Sequence, residues 1–169
     1  MFYFQHIDVL FYYLRKKGKI FSDCCVKFTT TDNHFDQLIK ALFSKFSAKN
    51  DLSLVSVDHA IAEYILGYLM LCNTPWVDVD FILFPIHITK DKHWVLGLLN
   101  IKDKRIYVYN SMRGAKNDRV VSDYLRSYSV LLPLFFDIID YWKHRSDVDS
   151  SNGHFEVVIV DGLYSQHDK

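Results

Sequence analysis

The sequence predicts an α+β fold in which helices flank a mixed, mainly antiparallel sheet. Three observations support this class. Apolar residues recur at helical spacing in both halves of the chain, while runs of β-branched and aromatic residues at strand length lie between and after them. The 169 residues are 50% hydrophobic, with 13 Phe and 11 Tyr, which is enough for a real core. Because no repeat or linker interrupts the chain, we expect one domain over residues 1–169.

The N-terminal half contains three stretches with a helical pattern of apolar residues. These stretches are Phe2–Leu14, Asp36–Phe46 and Ser56–Cys72, and the third has the clearest pattern. We expect Cys72 to be a small hydrophobe on the buried face of that helix. The basic residues around Gly18 either end the first helix, with glycine as a left-handed cap, or form a nuclear-localisation patch.

Strands are expected in the middle of the chain and near its end. Phe21–Thr31 is irregular and is a weak candidate for a strand. The segments Phe81–Ile88, His93–Asn100 and Arg105–Ser111 follow one another closely, and a short charged turn separates the last two, which predicts adjacent antiparallel strands. Phe155–Val160 is a further apolar strand. The sequence therefore predicts a sheet of about four strands.

Two helices are expected between the last two predicted strands. Asp118–Leu132 carries apolar residues near one face, and Leu134–Trp142 is a second apolar and aromatic segment. Proline lacks an amide hydrogen and clashes with the preceding turn, so Pro133 is predicted to separate them.

Charge and hydropathy argue against several classes of protein. The 20 basic and 20 acidic residues balance, so no overall field favours nucleic acid. The apolar runs fall short of the ~18 residues that span a bilayer, and the N-terminus does not resemble a signal peptide. The spacing of the cysteines and histidines suggests no metal site. We therefore expect a soluble intracellular monomer, in the nucleus or cytoplasm, with no cofactor and with no nucleic-acid or membrane partner.

The strongest candidate for chemistry is a pair of residues at matching strand ends. His93 begins one predicted strand and Asn110 ends its neighbour, so the two side chains are expected at the same end of the hairpin. An amide that holds an imidazole fixes its tautomer and direction, as in nucleophilic triads. A random hairpin could carry the same two residues, so this pair alone does not establish an active site.

Three ordered motifs resemble a known family of peptidases. They are the string His93–Gly97, the strand Arg105–Ser111 and the late segment Val158–Gln166. Together they are similar to the ubiquitin-like-specific proteases, that is, the SUMO proteases and their plant relatives, which are cysteine peptidases related to the adenovirus protease. The resemblance implies a papain-like, adenovirus-protease-like fold.

The resemblance also implies roles for individual residues. His93 would be the general base, Asn110 would take the place of the family's orienting aspartate, and Gln166 would donate to the oxyanion. Trp94 would bind substrate, as a wall of the narrow tunnel that grips a diglycine tail. The implied partner is a ubiquitin-like modifier or its conjugates, cleaved at the peptide or isopeptide bond after the diglycine.

This sequence departs from the family in two ways. Asparagine still accepts a hydrogen bond from histidine, but it cannot stabilise imidazolium by charge. The family's nucleophilic cysteine follows the glutamine, whereas this sequence stops at Lys169 shortly after Gln166. We therefore expect a domain that is incomplete at its C-terminus and inactive as given. The alternatives are a non-catalytic binding remnant, a degraded transposon-derived product, or a nucleophile supplied by Cys24 or Cys25 in the chain order of papain.

Overall fold

The computed structural model of the protein describes residues 4–20, 26–89, 92–148 and 154–162. The elements in chain order are α1 (Phe4–Ile20), β1 (Phe28–Thr30), α2 (Asn33–Lys49), α3 (Ala60–Leu66), β2 (Phe81–Ile88), β3 (His93–Asn100), β4 (Arg105–Tyr109), α4 (Ala115–Ile138) and β5 (Glu156–Ile159). One-turn 3₁₀ helices occur at Leu52–Leu54, Trp76–Asp78 and Tyr141–His144. Among these helices none is long and apolar enough to cross a membrane.

In the part of the chain that the structure describes, the sheet has five strands in the order β1-β2-β3-β4-β5. Strands β2, β3 and β4 form an antiparallel meander, and β1 and β5 pair in parallel with β2 and β4 at the two edges. The predicted α+β class, with a mixed sheet and flanking helices, is confirmed. The weak strand candidate within Phe21–Thr31 contains β1 (Phe28–Thr30), which brings the strands among the described residues to five instead of the predicted four or so.

The core lies between one face of the sheet and helices α2, α3 and α4. Side chains of a strand alternate between faces, so Ile82, Phe84 and Ile86 of β2 all enter this core and are fully buried. The ring of Phe35 in α2 stacks on Phe84, with centroids 5.8 Å apart. Each fully buried side chain of this size contributes on the order of 2–3 kcal/mol through the apolar surface it removes from water.

The edge of β2 is completed by side chains where β1 ends. Pro85 has no amide hydrogen to leave unpaired at this edge. The amide of His87 donates to Asp36 Oδ2 (3.2 Å), and Lys40 Nζ donates to both Asp36 Oδ2 and the His87 carbonyl (2.6 Å each). Tyr128 of α4 donates to the other oxygen of this buried carboxylate (2.8 Å). The end of β2 that pairs with the start of β3 is therefore held by α2 and α4.

Helix α1 continues through Gly18 to Ile20, so the prediction that Gly18 caps the helix is wrong. The glycine allows close packing instead, since a Cβ at this position would lie 3.0 Å from the Phe28 ring. The buried guanidinium of Arg15 donates to Thr30 Oγ1 (2.8 Å) and to the Leu71 carbonyl (3.1 Å), which ties the helix to β1. Tertiary contacts thus extend this helix beyond its apolar pattern.

Helix α3 is much shorter than the predicted helix Ser56–Cys72. It starts after His59, whose Nδ1 accepts the Ile61 amide (3.1 Å), and it ends at Gly67 in the left-handed conformation (φ 87°). A Cβ at Gly67 would lie 2.8 Å from the Pro75 nitrogen, so the returning chain approaches the end of the helix too closely for any residue other than glycine. Cys72 lies outside the helix and is half-buried, which corrects its predicted place on a buried helical face.

Pro133 does not interrupt α4, which runs unbroken from Ala115 to Ile138. The expected break fails because both sides of the proline are packed into the core. Leu131, Leu132, Phe135 and Phe136 are all fully buried. Their burial outweighs the loss of one backbone hydrogen bond, which costs about 3 kcal/mol together with the steric strain.

Candidate active site

The structure brings His93 and Asn110 into contact. The pairing of β3 with β4 stops at Leu96 and Tyr109, and the two predicted site residues lie just beyond that last pair. Both side chains fall on the core side of the sheet, in the alternating series with Val95 and Val108. His93 Nε2 is 2.9 Å from Asn110 Oδ1. Adjacent strand ends therefore make the hydrogen bond that the hairpin geometry predicts.

The amide of Asn110 has only one orientation that satisfies its neighbours. Its Oδ1 accepts the Met112 amide (2.9 Å), and its Nδ2 donates to the Met112 carbonyl (2.7 Å). The oxygen must therefore face His93, and because oxygen accepts, the proton lies on His93 Nε2. This tautomer leaves the lone pair of Nδ1 to act as a base. The Asn110 side chain is fully buried, and its partners His93 and Met112 are half-buried.

Trp94 lies beside His93 in the chain but on the opposite face of β3. Its ring packs against His87 on β2, with centroids 4.8 Å apart, and against Phe4 of α1 at 5.4 Å. It lines an apolar groove of about 610 Å³ between α1 and the sheet, and Ser111, which follows Asn110, lines the same groove. The groove thus opens at the end of the sheet that carries the His93–Asn110 pair.

His87 is a second histidine close to this site. Burial of its ring and the nearby charge of Lys40 lower its pKa, while the carboxylate of Asp36 opposes the shift. His87 is therefore neutral at neutral pH and packs as an aromatic ring against Trp94.

The structure places only some of the other cysteines and the glutamine named from the sequence. Gln166, Cys24 and Cys25 lie outside the described residues. Cys72 lies next to Leu71, whose carbonyl accepts from Arg15, and so it sits near the β1 edge of the sheet. Within the described ranges, no group of three or more His, Cys, Asp or Glu side chains is placed to hold a metal ion.

Two contributors to the site were missed by reasoning from the sequence. The backbone of Met112 orients the Asn110 amide, and Arg113 ties the following loop to other elements. A backbone group leaves no residue signature, and the sequence around Arg113 indicates a turn without showing which carboxylates the guanidinium reaches.

Comparison with known proteins identifies the family. The model of the Ulp1 protease family, C-terminal catalytic domain, matches residues 27–169. The chain belongs to the Ulp1 protease family. Its members are cysteine peptidases, so the resemblance drawn from the sequence motifs is confirmed at the level of the family. Helix α1 precedes the matched range. A search of curated protein sequences gave no match.

Solved structures of Ulp1 resemble the chain at low sequence identity. A structure of the C-terminal Ulp1 protease domain in complex with Smt3, the yeast orthologue of SUMO, matches with a TM-score of 0.49 and 15% identity over 95% of this chain. The SUMO protease Ulp1 with its catalytic cysteine oxidised to a sulfonic acid matches with a TM-score of 0.46 and 15% identity over 94%. In both cases the match covers 57% of the solved chain, so the present chain spans somewhat more than half of its length.

Proposed function

We propose that this chain carries the base and the orienting residue of a cysteine peptidase that cleaves after the diglycine of a ubiquitin-like modifier. The observation that carries the proposal is the His93–Asn110 hydrogen bond, with its amide orientation dictated by Met112, in a chain of the Ulp1 family. The substrate bond is a peptide bond or the isopeptide bond of a conjugate.

The chemistry follows from the tautomer of His93. Nδ1 accepts the proton of a cysteine thiol, and the resulting thiolate attacks the carbonyl carbon of the terminal glycine. The imidazolium then gives its proton to the leaving amine as the carbon–nitrogen bond breaks, which leaves a thioester. Water, deprotonated by the same Nδ1, attacks the thioester and releases the thiol and the carboxylate. The Gln166 amide is proposed to donate to the oxyanion, a contribution of about 3 kcal/mol to transition-state stabilisation.

Asn110 supports this cycle differently from a carboxylate. It keeps the imidazole ring directed and holds the proton on Nε2, but as a neutral group it adds no charge to stabilise imidazolium. We therefore propose that, in a chain that includes the nucleophile, activity with Asn110 is lower than with a correctly placed carboxylate acceptor, without being lost.

The proposed mechanism needs a cysteine nucleophile, and no cysteine of this sequence stands in the family's order. The three cysteines of the sequence, Cys24, Cys25 and Cys72, all precede His93, whereas the family's nucleophile follows its glutamine. We propose that the 169-residue polypeptide does not turn over substrate by itself. Binding of a ubiquitin-like protein without cleavage is the second candidate function, and the position of all three cysteines before His93 is the observation that favours it.

Binding to a modifier with and without its diglycine tests the substrate class. The Smt3 complex of the Ulp1 domain makes a SUMO-type protein the first probe. We expect the form that ends in Gly-Gly to bind at least about tenfold more tightly than the form that lacks both glycines. Trp94→Ala should remove that difference. Trp142→Ala is a matched control, because Trp142 is also half-buried but packs over Lys104 at the opposite end of the β3–β4 hairpin.

Labelling tests the nucleophile separately. A SUMO-type protein with a C-terminal electrophile should form no covalent adduct with the 169-residue chain. An adduct that disappears in a Cys24→Ala, Cys25→Ala variant would instead support the papain-like order.

Reading the transcript past the codon for Lys169 shows whether a cysteine follows. A chain that includes one should hydrolyse the modifier, and His93→Ala should abolish that hydrolysis. Equal binding of the modifier with and without its diglycine, together with no covalent adduct, would contradict the proposed substrate. The compartment, nucleus or cytoplasm, stays a prediction.

A further inference from the structure

The loop that carries Asn110 connects β4 to α4 and has no regular backbone pattern of its own. It runs from residue 110 to residue 114, and its first residue is held through the Met112 backbone. Its last residue, Gly114, has a φ of 137°, a conformation that other residues rarely adopt. A loop of this kind needs side-chain contacts to hold one shape.

Arg113 supplies such contacts to two separate elements. Its Nε donates to Asp118 Oδ1 (3.1 Å) and its Nη2 to Asp118 Oδ2 (3.3 Å), which anchors the loop to the first turn of α4. Its Nη1 donates to the Val160 carbonyl (2.7 Å) and lies 2.8 Å from Asp161 Oδ1, just beyond the end of β5. One planar guanidinium therefore joins the loop to a helix and to the neighbouring strand.

These contacts extend the β4–β5 pairing past its last backbone bond. Strands β4 and β5 pair as far as Val108 and Ile159, and the Val160 amide donates to the Val108 carbonyl (2.9 Å). Beyond that point the chain on one side becomes the Asn110 loop. Arg113 bridges the gap to Val160 from there, so that the loop cannot swing away from β5 without breaking several charge-assisted hydrogen bonds.

We infer that Arg113 is a positioning residue for the candidate active site: it holds the Asn110 loop on the end of β5 and so keeps the Asn110 amide facing His93. The inference rests on the proposed function for its catalytic meaning, but the hydrogen bond it concerns exists in the chain whether or not substrate is cleaved. Lysine cannot replace it, because an ammonium lacks the rigid fork that reaches Asp118 and Val160 together.

The chain offers a matched control on the same pair of strands. Arg105 Nε lies 2.7 Å from Glu156 Oε2, where β4 and β5 begin, at the opposite end from the site. Arg105→Gln removes one arginine–carboxylate link between these strands, whereas Arg113→Gln removes the links to Asp118 and Asp161 and the bond to the Val160 carbonyl. Only the second change acts at the Asn110 loop.

The test is the exchange rate of the His93 Nε2 proton with water, followed by NMR on the full chain. The resonance is assigned by its absence in His93→Gln. We expect Arg113→Gln to speed this exchange by about tenfold, the change that corresponds to losing a hydrogen bond to a charged group. Arg105→Gln should leave the rate within about twofold of the parent.

The result that overturns the inference is an exchange rate in Arg113→Gln equal to that in Arg105→Gln. If Arg113→Gln does not fold, Arg113→Lys keeps the charge and should still exchange faster than the parent, and a parental rate there refutes the role equally. Failure of the proposed peptidase function can be distinguished from failure of this inference. If binding did not depend on the diglycine, the peptidase proposal would fail, but Arg113→Gln would still speed the exchange and Arg105→Gln would still leave it near the parental rate.

Discussion

The substitution Asn110→Asp separates the local physics of this site from the resemblance to its family. The family's usual residue is aspartate, which suggests that the change should be harmless or beneficial. In this chain, however, Asn110 Nδ2 donates to the Met112 carbonyl at 2.7 Å. Aspartate would place a carboxylate oxygen at that point, so two acceptors would face each other where the side chain at position 110 is fully buried.

The expected cost follows from these contacts. Leaving a buried acceptor without its donor costs about 1–3 kcal/mol, and burying the new charge adds to that. A charge-assisted bond from a protonated His93 would return part of the loss. We expect Asn110→Asp to lower the free energy of unfolding by about 2 kcal/mol at pH 8.

The penalty should depend on pH with a definite sign. When the carboxyl group introduced by Asn110→Asp is protonated, it can donate to the Met112 carbonyl. The fold therefore raises the pKa of this carboxyl, and the native state holds the proton more tightly than the unfolded chain does. Stability relative to the parent should fall as pH rises through the raised pKa, and recover on acidification.

Urea unfolding at several pH values measures this effect. Asn117→Asp is the control, since it adds the same charge in the first turn of α4, where the helix dipole favours it. An Asn110→Asp protein as stable as its parent at pH 8 would refute the reasoning from the Met112 contacts. A variant that is less stable but without pH dependence would show that the loss comes from packing and not from the facing acceptors.

Three further predictions concern the framework of the site. Asp36→Ala should lower the free energy of unfolding by about 3 kcal/mol, because it leaves Lys40 and Tyr128 without the carboxylate that they bind, whereas Tyr128→Phe should lower it by about 1 kcal/mol. Equal losses for the two variants in urea unfolding would show that the Asp36 carboxylate does not hold both partners. His59 accepts a hydrogen bond from the Ile61 amide only when its ring is neutral, and burial lowers its pKa, so stability should fall as pH drops below about 6.5. His59→Asn should abolish this dependence of Tm on pH, and an unchanged dependence would exclude His59 as its cause. Gly67→Ala should lower Tm and reduce the free energy of unfolding by more than about 1 kcal/mol, since φ is 87° and Pro75 leaves no room for a Cβ. An unchanged Tm would show that the end of α3 can shift.

The candidate site was partly predictable because its two central residues lie on one hairpin. The apolar runs of β3 and β4 and the short turn between them are local features, and they place His93 and Asn110 at the same end of the hairpin. The tautomer of His93 was not predictable, since it depends on the Met112 backbone. Arg113 was missed because its partner carbonyl at Val160 is 47 residues away, and a sequence pattern carries no such distance.

The sequence by itself determined the fold class, the central meander and the motifs that identify the family. Strands and family motifs depend on residues that are close together in the chain, so they can be recognised without the structure. The tertiary structure alone decided where helices end and how the site is held. Pro133 stays inside α4 because the neighbouring side chains are buried, and Gly67 ends α3 because Pro75 returns against it. Burial and close approach involve residues distant in the chain, so they outweigh local preference only after the chain has folded.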